Sequence, residues 1–302
     1  MTTTTLRPPV RQPGRRADRS SRGHKAAQLW KASPLTWIGL VLGVLLSLFP
    51  FYWMIVIASR TNDAANSWPP PFLPGGNLGE NVQRVLANTD ANVVKGLMNS
   101  FLVSGTITIA TVFFGSLAGF AFAKLRFKGK NALLLIILAS MMVPIQLGVL
   151  PLYILMAKLE WLNTMPSVTV PFLIGGFGIF MMRQYAEQAV PNELIEAARV
   201  DGCSTWRIYW HVVAPALRPA AAVLGLLTFM EQWNQFFWPF VVLADPSNPT
   251  VQISLRSLNS AYFADNSQIF AGTLVATLPL FVIFVLFGRQ IIGGIMEGAV
   301  KS

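Results

Sequence analysis

The 302-residue chain is short of charge, cysteine and histidine, and each shortage removes a class of function. Charged residues make up 12% of it, against about 25% in soluble domains, while 53% is hydrophobic. An ordinary soluble fold is excluded, and an integral membrane protein remains. The single cysteine, Cys203, rules out an internal disulfide and leaves the redox compartment open. The two histidines, His24 and His211, are far apart, and no cluster has metal-ligand spacing, so metal catalysis is unsupported and the expected metal set is none. No Gly-x-x-x-x-Gly-Lys-Ser/Thr loop is present to cradle nucleotide phosphates, because Gly129-Lys130 is followed by Asn131. No short internal repeat is visible. Nothing in the chain points to a catalytic residue.

What is abundant is positive charge, +10 formally, gathered in short segments beside apolar runs. That is the positive-inside pattern of a membrane protein rather than a nucleic-acid surface. Residues 1–33 carry Arg7, Arg11, Arg15, Arg16, Arg19, Arg22, Lys25 and Lys31 against Asp18 alone, and are expected to be a disordered basic tail. The tail either orients the first span or lies against anionic lipid. Residues 35–58 are uncharged, about 36 Å as a helix, enough to cross a bilayer core of about 30 Å. Val56 and Ala58 could imitate a signal-peptidase site. The run nevertheless exceeds the apolar core of a signal peptide and ends in bulky Phe51, Tyr52 and Trp53, which favours an uncleaved anchor. Further spans are expected at about 97–123, 131–157, 165–182, 219–243 and 271–288. The fold class is therefore all-α, a polytopic membrane protein of six transmembrane helices within 34–302. Eighteen Lys and Arg fall on the side of both termini and the 183–218 loop, and five on the other. This charge bias sets both termini in the cytoplasm, in a cell (plasma) membrane.

Pro50, Pro144, Pro151, Pro171, Pro239 and Pro279 lie in or near the spans and predict kinks. Gly175, Gly176 and Gly178 allow close approach of another helix, with a hinge as the alternative.

Between two apolar spans lies a soluble-looking segment, Glu196-Ala197-Ala198-Arg199-Val200-Asp201-Gly202-Cys203, closed by Pro215. Pro191 suits the first turn of a helix, and Glu193 and Glu196 put negative charge near its positive end. Gly202 can take the left-handed conformation that stops the helix, and Ser204 can cap a second helix through Trp206, Ile208 and Val212. A DNA-reading helix-turn-helix has a similar outline. Here, however, 183–218 holds four basic and four acidic residues, with none of the basic excess a phosphate backbone requires.

This pattern resembles the EAA loop of ABC-importer permease subunits, with Cys203 in place of the usual alanine. The resemblance implies that Glu196, Ala197, Ala198, Asp201, Gly202, Cys203 and Pro215 couple to an ATPase. It also implies that ATP and Mg are bound by that partner and no cofactor by this chain. The missing phosphate loop agrees with this, as does the scarcity of ionisable groups in the spans, where only Glu231 lies deep.

The fifth span carries Glu231-Gln232-Trp233-Asn234-Gln235-Phe236-Phe237-Trp238-Pro239. Amides and carboxylates are costly in lipid and should face the bundle or a wet path, and with aromatic faces beside them they suit a sugar. Glu231, Gln232, Trp233 and Asn234 are the candidate substrate path. Interhelical packing and an interfacial aromatic belt are the alternatives. The run looks like that of carbohydrate permeases of the maltose-transporter class, as do Ser67-Trp68-Pro69-Pro70, Asn99-Ser100 and the ending Gly298-Ala299-Val300-Lys301. The resemblance implies a di- or oligosaccharide importer with a second homologous permease, two ATPase copies and an external sugar-binding protein contacted through Ser257, Asn259 and Tyr262. A permease for a polyol, glycerol phosphate or peptide is the alternative, and a non-transporting membrane scaffold is another.

Overall fold

Four helices in the computed structural model, which describes residues 33–259 and 264–299, are long and apolar enough to cross a membrane. They are α1 (Pro34–Ala58), α3 (Val93–Lys124), the stretch Met165–Ala189, which includes α6 (Gly176–Ala189), and the Asn266–Gly288 part of α12 (Asn266–Ala299). Between these lie α2 (Leu78–Ala87), α4 (Lys130–Met141), α5 (Val149–Lys158), α7 (Asn192–Val200), α8 (Thr205–Ile208), α9 (Arg218–Trp233), α10 (Phe237–Val242) and α11 (Val251–Ser257). Among the described residues there is no strand beyond one isolated bridge, Asn259 with Ala264.

Two bent pairs bring the count to the expected six where each is taken as one broken span. Lys130–Met141 and Ile145–Lys158 meet at 92°, and Thr205–Ala216 and Arg218–Trp233 at 75°. The expected single helix over 131–157 is therefore broken. Pro144 has no N–H for the ladder and sits at ψ 127°, outside the helical region, so the chain turns there. The expected helix over 219–243 also ends early, at Trp233, and resumes at Phe237.

By its internal contacts the chain divides into units 1–52 and 53–302. In the first, the described residues form the greater part of α1, and Leu35, Leu46 and Phe51 are exposed, as a lipid-facing helix requires. The expected disordered tail lies almost wholly outside the described residues.

The second unit is organised around α3 and α6. A Cβ added at Gly115 would lie 3.2 Å from the carbonyl of Gly178, and one at Gly178 would lie 2.9 Å from Thr111 Cγ2. Gly178 is thus a packing glycine. Gly115-Ser-Leu-Ala-Gly119 is the small-xxx-small pattern that lets two backbones approach in lipid, where packing rather than water exclusion drives association.

At the start of α12, Asp265 accepts from Ser267 Oγ (2.6 Å) and from Gln268 N (3.0 Å), and its other oxygen pairs with Arg84 on α2. Burial pushes its carboxyl up, but the hydrogen bonds from Ser267, Gln268 and Arg84 together outweigh burial and hold it below the usual carboxylate range. A depressed folded-state value means that the contribution is complete above the unfolded pKa of about 3.9 and is lost as pH falls through the lower folded value. Asp265→Ala is expected to destabilise the detergent-solubilised protein by about 0.5–2 kcal/mol at pH 7, the usual range for losing a cap. Thermal unfolding of variant and wild type should converge below pH 4.

Candidate functional site

The segment from 191 to 216 is built by local chemistry. α7 begins at Asn192, one residue later than Pro191 had suggested, with Pro191 as the extended residue before it and Glu193 in the first turn. It ends in a Schellman motif: Cys203 N donates to Ala198 O (2.9 Å) and Gly202 N to Arg199 O (3.0 Å). Gly202 has φ +76°, with no atom within 4 Å of a built Cβ, so backbone conformation alone demands glycine there. Ser204 Oγ accepts from Arg207 N (3.3 Å) and caps α8. A π-helical turn, Tyr209–Val213, follows, and then Ala214–Ala216 with exposed Pro215 just before the 75° bend.

α7 does not hang free. Ile195 is buried with Phe120 of α3, Ala186 and Val190 from the end of α6, and Ile208, Tyr209 and Val213; Ala198 and Cys203 pack against this core. Glu196, Ala197 and Asp201 face outward, together with Leu194 and Val200. Leu194, Ala197 and Val200 are three apart and share one helix face, and Val200 is 88% exposed. This leaves a short apolar stripe uncovered on an otherwise polar helix. Beside it opens a polar cleft of about 620 Å³ lined by Lys124, Arg126, Lys130, Glu187, Glu196 and Arg199. The sequence reading named the Glu-Ala-Ala residues and missed Leu194 and Val200, although the three-residue spacing was there to be read.

The structure separates the four residues of the expected substrate path. Glu231 and Gln232 line a cavity of about 530 Å³, together with Thr228 and Leu224 one and two turns back on α9. The other walls are the α4–α5 break from Ser140 to Gly148, the start of α6 from Gly175 to Gly178, and Thr111 of α3. Trp233 points elsewhere: it is 1% exposed, stacks on Phe229 (5.6 Å, 21°) and donates Nε1–H to Ala276 O (3.2 Å). Asn234 donates Nδ2–H to Met230 O (2.8 Å) on its own helix. Four consecutive helical residues are spread by 100° each, so they cannot share one path. Trp238 is also buried, donating to Ser167 O (2.9 Å). Gln235 lines a separate cavity with Gln146.

Ser257 Oγ donates to Ile253 O (3.1 Å), and Asn259 N donates to Arg256 O (3.0 Å). Tyr262 lies outside the described residues. Among the described residues no group of three or more His, Cys, Asp or Glu could hold a metal ion.

Apolar spans, bent pairs, a largely apolar cavity reached by Glu231 and Gln232, and a capped helix-turn-helix are the features of a polytopic membrane protein. The chain belongs to the family of binding-protein-dependent transport system inner membrane components, whose description matches residues 111–292. It is 34% identical over 262 residues to the lactose transport system permease protein LacG of Rhizobium radiobacter, covering 87% of this chain and 94% of that one. It is 34% identical over 217 residues to the arabinooligosaccharides transport system permease protein AraQ of Bacillus subtilis (strain 168), covering 72% and 77%. Identity is 29% over 266 residues to the sn-glycerol-3-phosphate transport system permease protein UgpE of Yersinia pestis, covering 86% and 94%. In fold it is similar to a chain of a bacterial ABC transporter involved in the import of the acidic polysaccharide alginate. The TM-score is 0.74 at 20% identity, covering 92% of this chain and 99% of that one. The chain is a multi-pass permease subunit of an ABC importer, a non-catalytic membrane component. Such a subunit works with a partner permease, an ATPase and a substrate-binding protein.

Proposed function

We propose that this permease carries a neutral di- or oligosaccharide, that Glu231 and Gln232 line its path, and that α7 with its Gly202 turn docks an ATPase that binds ATP and Mg. The observation that carries the substrate reading is the cavity lining, in which, among the described residues, Glu231 is the sole ionisable side chain and Gln232, Thr228, Thr111 and Ser140 supply hydrogen-bonding groups. A glycerol phosphate would bring its anion against a carboxylate with no Lys or Arg to pair it. Sugar hydroxyls pair with amide, hydroxyl and carboxylate alike. The lactose and arabino-oligosaccharide relatives support the same reading.

In this reading both termini and α7 are cytoplasmic, two ATPase copies grip this subunit and a distinct second permease, and an external sugar-binding protein meets Ser257 and Asn259. Nucleotide binding closes the ATPases and moves α7, switching the bundle between inward and outward access. Moving such an equilibrium from 1:99 to 99:1 takes about 5.5 kcal/mol, a scale that differential nucleotide binding supplies.

The test is uptake of a labelled panel by a deletion strain carrying the wild-type gene, with glycerol 3-phosphate in the panel. Restored uptake of a disaccharide or oligosaccharide supports the reading, and restored uptake of glycerol 3-phosphate alone overturns it. For coupling, Gly202→Val meets the steric cost of a left-handed β-branched residue, about 1–2 kcal/mol, whereas Gly202→Asn tolerates that conformation. Gly202→Val is expected to lose co-purifying ATPase or sugar-stimulated hydrolysis, with Gly202→Asn near wild type. Equal behaviour of the two would remove the turn from the coupling path.

A further inference from the structure

The end of α3 is joined to the docking segment at two points that use quite different chemistry. Inside the apolar core around Ile195, Tyr209 is 3% exposed and its hydroxyl lies 2.8 Å from Ser116 Oγ. Ser116 spends its own proton on Phe113 O (2.9 Å), so Tyr209 is the donor. Two turns on, at the last residue of α3, Lys124 Nζ donates to Asn192 Oδ1 (3.0 Å) and to Glu187 O (3.3 Å). It thereby holds the first residue of α7 and the last turn of α6 together.

The far end of α3 is tied just as specifically. Asn99 Nδ2 donates to Pro249 O (2.8 Å), and Val251 N donates to Ser100 Oγ (2.8 Å), which fastens the segment leading into α11. One unbroken helix of 32 residues, about 48 Å long, therefore runs between the docking segment and the opposite end of the bundle. No proline interrupts it, in contrast to the break at Pro144 between α4 and α5.

We propose that α3 is the rod through which α7 moves the bundle, and that Tyr209 and Lys124 are the positioning residues that join the two. This rests on the reading of α7 as the ATPase-docking helix. An exposed lysine–amide contact adds little to stability, and a single hydrogen bond within a packed core adds a modest amount. The effect of deleting either belongs in transmission, not in folding. Tyr209→Phe keeps the ring in the core and leaves Ser116 bonded to Phe113 O; Lys124→Met keeps the stem and removes the donor.

The experiment uses the complete transporter in proteoliposomes, measuring sugar taken up per ATP hydrolysed, with ATPase co-purification as a second readout. Each single variant is expected to keep the ATPase bound and hydrolysis near wild type while uptake per ATP falls by about twofold to thirtyfold, the range of mutations along a coupling network. The double variant should fall further, and Lys124→Arg, which still donates to Asn192, should recover most of the loss. Unchanged uptake per ATP in the double variant overturns the proposal while leaving ATPase docking intact. So does loss of assembly in either single variant, because that marks a structural role. Asn192→Leu, which alters only an exposed acceptor, should reproduce the Lys124→Met loss, and a normal ratio there also overturns the Lys124 joint. If the wild-type complex itself shows no link between hydrolysis and uptake, the docking reading fails instead.

Discussion

Replacement of Gly119 by leucine is expected to prevent the subunit from accumulating as a folded protein in the membrane. A Cβ at this position would lie 2.7 Å from Arg183 N, from Met182 C and from Met182 Cβ, so backbone, not a yielding side-chain tip, stands in the way. Even Gly119→Ala must push α3 and α6 apart. That forfeits the contacts at Gly115 and Gly178 one turn along, and overpacking of this kind costs about 1–3 kcal/mol. Gly105 on the same helix has nothing within 4 Å of a built Cβ, and Gly105→Ala should be tolerated. Membrane yield and detergent thermal stability of the three variants check the ordering. Equal stability of Gly119→Ala and Gly105→Ala would mean that the α3–α6 crossing is not as close as these distances require.

Trp233→Ala is expected to be the most costly single truncation in α9. The ring is fully buried against Phe229 and sits with Val251 and Ala276 in one apolar cluster, and removing a buried Trp costs about 3–5 kcal/mol. Its indole N–H also donates to Ala276 O of α12 and ties the two helices together. The variant should therefore lose thermal stability and assembly, with sugar preference unchanged in whatever complex survives. Gln232→Ala should do the reverse, leaving stability within about 0.5 kcal/mol because this half-buried amide faces a cavity rather than a packed core, while altering uptake. A changed sugar preference in assembled Trp233→Ala would return Trp233 to the path.

The capped helix-turn-helix was legible from sequence because its determinants are local. A glycine three residues beyond Arg199, a serine before α8 and a proline after the loop each act on the backbone within one turn, and Gly202 and Ser204 do in the structure what their chemistry requires. The positions of the apolar runs were legible for a similar reason, since length and lack of charge are sums over a segment. The pair Gly115 and Gly119 was present as a pattern and needed only to be looked for.

What the sequence by itself determined is thus an all-α membrane subunit with a capped polar helix between two spans. Only the tertiary structure decided which side of each helix is inside. In water, the buried face of a helix is marked by apolar residues against a polar face, but in lipid both faces are apolar and the mark disappears. For that reason Glu231, Gln232, Trp233 and Asn234 read as one group in sequence and are divided between a cavity, a packed core and the helix's own carbonyl in the fold. The same holds for Tyr209 with Ser116, 93 residues apart, and Lys124 with Asn192, 68 apart. Nothing in either local sequence records the partner, because the pairing exists only once α3 and the 191–216 segment have packed.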